Sequence, residues 1–304
     1  MEYLNLKKNI GLLGVGNDGL RILSRIRKCI GKAGVLYRYI TNHRQEKEGF
    51  LIKETQIKYI KGEIIKPFWV DYEDLNEEDI NFFNSINILI MIGMETIDIK
   101  NSIRLIKEAK KFGILIVCIF EFPTVFERKN CYSSALKKIE NLKELVNTSI
   151  VISRDDLSKR LSNDLAVKFF YNIDQVILNV VNQLVKVFLY NGVIKIRPLD
   201  VLRVFNQKNI MYFSLGKDTK VFNAVIKSFA NPLVFNQTLK DCAYIIVHIQ
   251  GGKYISLKEI KLIVEYMYYY INAKATLILG YTVIKNKLLN KVMITIFGAG
   301  KLKI

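Results

Sequence analysis

Apolar runs alternate with amphipathic stretches along the first half of the chain. Residues 86–92 and 114–120 are nearly continuous apolar runs, typical of strands buried on both faces of a parallel sheet. Helical spacing of apolar residues begins at residue 20 and recurs over residues 102–112 and 133–145, whereas residues 66–78 have no regular period. We predict strands at residues 10–13, 35–40, 56–60, 86–92, 114–120 and 149–153. This alternation predicts a doubly wound α/β domain.

The second half of the chain opens with one long helical period over residues 165–190, which ends before Asn191 and Gly192. A helix of this length suits a connection between two domains. A second domain is predicted to start near residues 201–205 and 211–215, with helices at 221–229 and 256–271 and strands at 244–249, 275–281 and 291–297. We therefore predict a first domain at residues 1–164, a central helix at 165–191 and a smaller α/β domain at 192–304.

The 304-residue chain carries a net charge of +18, with a pI near 9.6. Such a charge favours a nucleic acid or an anionic membrane surface as partner. The lysines are dispersed, however, as in proteins from AT-rich genomes, so we expect no specific nucleic-acid partner and keep peripheral membrane contact open. No apolar run approaches the ~18 residues of a membrane helix, and the N-terminus has no cleavage pattern, which predicts a cytoplasmic protein.

The spacing of cysteine and histidine predicts no metal site. His43 and His248 lie far apart in the sequence. The cysteines are scattered without a C-x-x-C pair, which favours reduced, buried thiols over disulfides or zinc ligands: Cys29, Cys118, Cys131 and Cys242.

Gly14 to Gly19 form a G-x-G-x-x-G motif between a predicted strand and a predicted helix. Glycines let backbone N–H groups approach a phosphate, and a helix N-terminus favours its negative charge. The same motif also occurs as a tight strand-to-helix turn without a ligand, and both interpretations stay open. An NAD site would need an acidic residue after the second strand. Thr41, Asn42 and His43 follow it instead, which disfavours an NAD-type oxidoreductase.

Further motifs follow in a characteristic order over nearly the whole chain. They are GVGNDGLRILSRI, ILIMIGMETIDI, KKFGILIVCIF, FEFPTVFERKN, NTSIVISRDDL, FFYNIDQVI, NGVIKIRPLDVLRVF, ANPL, IIVHIQGGKYISLKEI and ATLILGYTVIKNKLLNKVMITIFGAG. In this order they resemble the FtsZ family, the bacterial cell-division relatives of tubulin. The resemblance implies an FtsZ/tubulin-like α/β fold with a doubly wound GTPase domain, a long central helix and a smaller α/β second domain.

The resemblance also implies a function. An FtsZ-like protein would bind GTP or GDP, with Mg²⁺ as a candidate companion ion. It would polymerise head to tail with itself into filaments for septum (Z-ring) formation, in the cytoplasm at the division site. Other division proteins at the septum are candidate partners. The family's usual C-terminal tail for membrane adaptors is not expected after Ile304.

Individual residues receive roles from the same resemblance. Asp200 matches a catalytic carboxylate in the loop that hydrolyses the GTP of the neighbouring subunit. Glu127 matches a ribose contact, with a solvated loop acid as the alternative. Phe170 matches the ring that stacks on guanine, with a core residue as the alternative, and Asp174 matches the residue that reads the guanine edge. The two phosphate loops imply the remaining nucleotide-binding residues: Gly14, Gly16, Asn17, Asp18, Gly19, Gly93, Met94 and Thr96.

The sequence departs from the family where phosphate chemistry is expected. Residues 95–101 replace a glycine- and threonine-rich loop, and Ile97 and Ile99 resist the positive φ angles that such a loop needs. In the hydrolysis loop Arg197 stands where an acid is expected, so Asp200 remains alone. We therefore expect weakened GTP hydrolysis. The alternative stays open that the protein is a pseudo-GTPase scaffold of the division machinery, which binds nucleotide weakly or not at all.

Overall fold

The structure, a computed structural model, describes residues 9–30, 34–40, 66–68, 77–93, 99–124, 129–155, 157, 166–189, 192–230, 238–252, 255–283 and 291–301. Contacts between residues divide the chain into two compact units, Met1–Phe120 and Glu121–Ile304. The three-part division predicted from the sequence stays a prediction. Within the described residues, no helix has both the length and the hydropathy needed to cross a bilayer.

Parallel strands form the sheet of the first unit, in the order β3-β2-β1-β4-β5. The strands are β1 (Ile10–Val15), β2 (Val35–Ile40), β3 (Lys66–Phe68), β4 (Ile88–Ile92) and β5 (Leu115–Phe122). The helices between them are α1 (Gly16–Ile30), α2 (Glu77–Asn84) and α3 (Ile99–Lys111). Every residue of β1 and β5 is buried, which confirms that these apolar runs lie inside a parallel sheet.

Residues 66–78 differ from the prediction, which gave them no regular structure. Lys66–Phe68 pairs with β2 as a three-residue strand, and α2 begins at Glu77. A strand this short forms because it pairs with a strand that is distant in the sequence. Three residues are too few for a periodic pattern that would predict it. Pro67 is tolerated because β3 is the outer strand in the pairing order. The strand predicted at residues 56–60 lies outside the described residues.

The second unit begins with α4 (Lys129–Lys143), β6 (Thr148–Ser153) and the 24-residue helix α5 (Ala166–Leu189). Helix α6 (Pro198–Phe205) and strand β7 (Asn209–Ile210) follow, and β7 pairs in parallel with β6. The helix predicted at residues 165–190 is therefore confirmed.

A four-stranded mixed sheet occupies the end of the chain in the order β10-β9-β11-β8. It contains β8 (Tyr212–Asp218), β9 (Cys242–Gly251), β10 (Thr276–Val283) and β11 (Val292–Lys301). Two helices, α7 (Val221–Ala230) and α8 (Leu257–Tyr270), accompany it, with a 3₁₀ turn at Leu239–Asp241. Strand β10 is parallel to β9, whereas β11 is antiparallel to both β8 and β9.

The two faces of this sheet are covered by different helices, because side chains alternate along each strand. Ile245, Val247 and Ile249 of β9 lie in a hydrophobic core with residues of α7 and α8. The intervening His248 and Gln250 point to the other face, where Gln250 contacts α5. On that face Phe297 of β11 contacts Phe205 of α6, with ring centroids 5.7 Å apart.

Candidate functional site

The first candidate site is the junction between β1 and α1. The strand ends at Val15, and the helix begins at once at Gly16, whose φ of +64° lies in the left-handed region. The connection is thus tighter than the six-residue turn that the sequence predicted. Gly93 directly follows the neighbouring parallel strand β4 and has a φ of +82°. Both glycines therefore lie at the carboxyl edge of the sheet, where ligands of parallel α/β sheets bind.

Close approach of backbone atoms explains the other glycines of the junction. A Cβ atom on Gly14 would lie 2.7 Å from the carbonyl carbon and oxygen of Gly19. A Cβ atom on Gly19 would lie 2.7 Å from the carbonyl oxygen of Ile92, and one on Gly93 would collide with the carbonyl oxygen of Val15. The structure thus brings Gly14, Gly16, Gly19 and Gly93 together, and three of them are needed for packing whether or not a ligand binds.

The chemistry of the junction suits a phosphate. The first turn of a helix presents N–H groups that lack intrahelical partners, and its dipole favours an anion. The left-handed Gly16 and Gly93 let the backbone come close to such a group, since side chains are missing there. The described part of the junction therefore fits the phosphate end of a nucleotide.

Several predicted binding residues fall where the structure gives no side-chain description. Asn17 and Asp18 lie in the first turn of α1, and Phe170 lies in the first turns of α5, but only their backbone is described. The others lie outside the described residues: Met94, Thr96 and Glu127. Their assigned roles stay predictions.

Asp174 lies in α5 and is 4% exposed, between the buried Ile173 and Ile177 of the same helix. Burial lowers the local dielectric, so a hydrogen bond from a ligand to this carboxylate would be stronger than at the surface. The residue is placed among core side chains rather than on a solvated helix face, which the sequence alone did not indicate.

The second candidate site is the start of α6, where Arg197 and Asp200 form an ion pair. Arg197 is the N-cap residue, Pro198 follows it, and Asp200 lies in the first turn. The Nε of Arg197 donates to Oδ2 of Asp200 at 2.7 Å, and Nη2 donates to Oδ1 at 3.1 Å. Both carboxylate oxygens are thus engaged by one guanidinium, a geometry that arginine favours.

The two partners differ in exposure. The Asp200 side chain is 10% exposed, whereas that of Arg197 is 75% exposed. The hydrogen bond and the charge of Asp200 raise the pKa of Arg197, so the arginine stays protonated. The negative charge of Asp200 is therefore covered from the solvent side by a cation. The sequence pointed to the opposite charge of Arg197; the spacing of three residues in a first helical turn was the signal for direct pairing.

A buried ion pair at the end of β5 was not anticipated. Glu121 is 5% exposed, and Nε and Nη2 of Arg154, which follows β6, donate to its Oε2 at 2.9 and 2.5 Å. An acid inside an otherwise apolar strand run was the available signal, because such a charge needs a partner.

Comparison with known proteins adds a family match over the second sheet. Residues 212–301 match the model described as FtsZ family, C-terminal domain. A solved structure of the empty FtsZ dimer from Methanocaldococcus jannaschii aligns with a TM-score of 0.77 at 20% identity, covering 96% of this chain and 88% of that one. The protein has an FtsZ/tubulin-like fold. The predicted fold class and the resemblance drawn from the order of motifs are both confirmed.

Sequence relatives of this FtsZ/tubulin-like protein agree with that result. Cell division protein FtsZ 1 of M. jannaschii is 26% identical over 182 residues, which are 59% of this chain and 50% of the relative. Mitochondrial division protein fszB of Dictyostelium discoideum is 29% identical over 195 residues, which are 62% of this chain and 52% of the relative. The chain thus matches about half the length of these relatives.

The fold is also shared with CetZ2 from Haloferax volcanii, with a TM-score of 0.70 at 11% identity over 97% of this chain and 94% of that one. That CetZ2 structure is a protofilament with GTPγS bound. At this identity the likeness shows the fold alone.

Proposed function

We propose that the protein binds GTP or GDP at the β1–α1 junction and assembles head to tail with itself into filaments that act in cell division. The observation that carries this proposal is the junction itself: left-handed Gly16 and Gly93 lie at the ends of adjacent parallel strands, beside a helix N-terminus. The FtsZ/tubulin-like fold supports it, since CetZ2, which shares the fold, forms a nucleotide-bound protofilament. Mg²⁺ would supply charge neutralisation of the nucleotide phosphates.

Guanine is the base that the proposal favours. Asp174 is a buried carboxylate, and guanine offers two adjacent donors, N1–H and N2–H₂, that adenine lacks. Phe170 of the same helix would stack on the base, and Glu127 would contact the ribose. Specificity would therefore come from an acceptor in α5, and the glycine junction would supply affinity for phosphate without choosing the base.

Hydrolysis is proposed to be weak, because Arg197 holds the carboxylate that would activate water. Each oxygen of Asp200 already accepts a hydrogen bond from Arg197, so fewer acceptor sites remain for a water at the nucleotide of a neighbouring subunit. Losing one charge-stabilising group at such a site typically lowers a rate about 10²–10³-fold. The same ion pair favours the second candidate function, a scaffold that polymerises without turnover.

Nucleotide binding by the purified chain tests the first step. We expect GTP and GDP to bind more tightly than ATP in titration calorimetry with Mg²⁺. Asp174→Asn keeps the side-chain shape but replaces an acceptor by a donor, so GTP affinity should fall by about 1.5–3 kcal/mol while ATP affinity stays constant. Gln175→Ala, one residue along α5, is the control. Equal affinities for GTP and ATP in the unchanged chain would remove the guanine assignment, and NAD binding in their place would support an oxidoreductase.

Assembly and turnover separate the two candidates. Sedimentation with GTP should show filaments that grow with protein concentration, and monomer at every concentration would refute the filament proposal. Phosphate release should be slow in the unchanged chain, faster in Arg197→Ala and absent in Asp200→Ala, with the exposed Lys195→Ala as control. Filaments without phosphate release in any of these variants would identify a scaffold.

A further inference from the structure

Helices α7 and α8 together present an exposed aromatic surface, here called the aromatic seam. Both helices bury one side in the core of the second sheet, through Val221, Ala224 and Val225 of α7 and Ile263 and Met267 of α8. Further large apolar side chains lie along the side where the two helices meet. Phe229 and Tyr266 pack in part against the core, whereas the others are exposed: Phe222, Ile226, Tyr269 and Tyr270. The seam consists of Phe222, Ile226, Phe229, Tyr266, Tyr269 and Tyr270.

Ring contacts join the two helices into one surface. Phe222 meets Tyr266 edge to face with centroids 5.5 Å apart, and Phe229 stacks on Tyr270 at 4.2 Å. Tyr269 contacts Tyr270 at 5.2 Å and is itself 82% exposed. Ile226 and Phe222 are 44% and 43% exposed. Adjacent apolar groups that remain this accessible indicate an interaction surface.

The charges around the seam are predominantly positive. Lys220, Lys258 and Lys274 are exposed before α7, in the first turn of α8 and just after α8. Two of the nearby acids are paired with lysines, since Asp218 accepts a hydrogen bond from Lys227 and Glu265 lies 3.7 Å from Lys261. Glu259 closes the capping box of Ser256, which brings no positive charge beside it. The surface therefore combines aromatic rings and one isoleucine with exposed lysines near the ends of the helices that carry it.

We propose that the aromatic seam docks on a bilayer that contains anionic lipids. Tyrosine prefers the level of the lipid headgroups, where its ring is buried and its hydroxyl remains hydrated. Lysines at the rim attract anionic headgroups, and the net charge of +18 adds a long-range attraction toward such a surface. Contact between two copies of the seam would bring these lysines close to one another, and like charges within a Debye length of about 8 Å repel at physiological salt.

Vesicle co-sedimentation without nucleotide tests this directly. The full chain should bind vesicles of 70% phosphatidylcholine and 30% phosphatidylglycerol, and binding to pure phosphatidylcholine should be much weaker. Replacing Ile226 and Tyr269 together by serine should lower the partition coefficient about tenfold, because both side chains are exposed and their loss removes buried area only at the membrane. Circular dichroism checks that the fold is kept.

Matched lysine variants distinguish the seam from general electrostatic attraction. Changing Lys220, Lys258 and Lys274 together to glutamine should lower binding on the order of a hundredfold. The control changes three lysines that are exposed on other elements to glutamine, which removes the same total charge: Lys107, Lys137 and Lys208. It should lower vesicle binding less. Equal losses in both triples, or no binding to anionic vesicles, would overturn the proposal. It is also wrong if the serine variant self-associates less while vesicle binding is unchanged, since the seam then joins copies of the chain.

Discussion

The glycine junction of the first unit and a polar cluster in the second unit solve the same packing problem by opposite means. At the junction, backbone meets backbone because Gly14, Gly19 and Gly93 have no side chains to separate the elements. In the second unit, long polar side chains fill the space between α5 and the four-stranded sheet. The first solution depends on shape alone, whereas the second depends on hydrogen bonds and protonation.

The polar cluster is fully connected in the described residues. Lys186 of α5 donates to Oε1 of Gln250 at 2.8 Å, and the Gln250 amide nitrogen donates to Gln183 of α5. His248 lies beside Gln250, and its Nε2 is 2.9 Å from the hydroxyl oxygen of Thr282. Burial first, and the charge of Lys186 second, lower the pKa of His248 to about 4. Burial also lowers the pKa of Lys186.

The difference shows that two regions of one fold can be stabilised by interactions that respond differently to pH. Steric closure at the junction is independent of pH, because no titratable group takes part in the glycine contacts. The cluster requires a neutral His248, so its contribution must fall in acid. Substitutions in the two regions should therefore be separable by pH as well as by size.

The largest effect is expected at the junction. Gly14→Ala places a Cβ atom 2.6 Å from Leu23 Cδ1 and 2.7 Å from the Gly19 backbone, so the helix must move away from the strand. We expect a loss of about 3 kcal/mol or more in the free energy of unfolding, in the range of overpacked cores, measured by urea denaturation at pH 7 and 5 with the same result.

Gly113→Ala is the matched control for this prediction. Unlike Gly14, Gly113 has a left-handed φ, +68°, and nothing lies within 4 Å of an added Cβ. Only the backbone strain of about 1–2 kcal/mol should remain. If both variants lose the same stability, the close approach of α1 to β1 is not what holds the junction.

Whether a structural feature could be predicted from the sequence depends on how far apart along the chain its contacting residues lie. Continuous apolar runs and one long helical period predicted most strands and α5, because each signal is local. The glycine motif located the junction, but its tightness depends on Gly93, which lies far along the chain. The polar cluster could not be predicted, since Gln183 and Gln250 are 67 residues apart and neither residue type demands burial. The Glu121–Arg154 pair could not be predicted for the same reason, since its partners lie 33 residues apart.

The second prediction concerns acid sensitivity through His248. In the unfolded chain histidine titrates near 6.5, whereas in the fold the pKa of His248 is about 4. As pH falls from 6.5 to 4 the unfolded state binds the proton first, so stability decreases, by up to about 3 kcal/mol. Urea denaturation of the chain against His248→Gln across this range measures the difference, because glutamine keeps a polar group but does not titrate.

His43→Gln is the control, since the sequence contains two histidines. The pH slope should survive in His43→Gln and decrease in His248→Gln. An NMR titration of the His43→Gln variant reports His248 alone, and a measured pKa near 6.5 would contradict the buried, neutral histidine.

The smallest effect tests whether exposed polar contacts of the second unit contribute as much to the free energy of unfolding as the contacts of the buried polar cluster do. Ser256 caps α8 by accepting from the N–H of Glu259 at 3.2 Å, and Glu259 returns a contact by accepting from the N–H of Ser256 at 2.8 Å. Ser256→Ala removes one half of this capping box and should cost about 1 kcal/mol.

Lys261→Gln removes an ion pair to Glu265 between side chains that are 78% and 63% exposed, and should change stability by at most about 0.5 kcal/mol. Thermal unfolding of both variants at low and high salt measures this. The Ser256→Ala loss should be independent of salt, because a serine hydroxyl carries no charge, while any effect of Lys261→Gln should vanish at high salt. A salt-independent loss near 1 kcal/mol in Lys261→Gln would show that surface pairs contribute here as strongly as satisfied caps, and the contrast between buried and exposed polar groups would not hold.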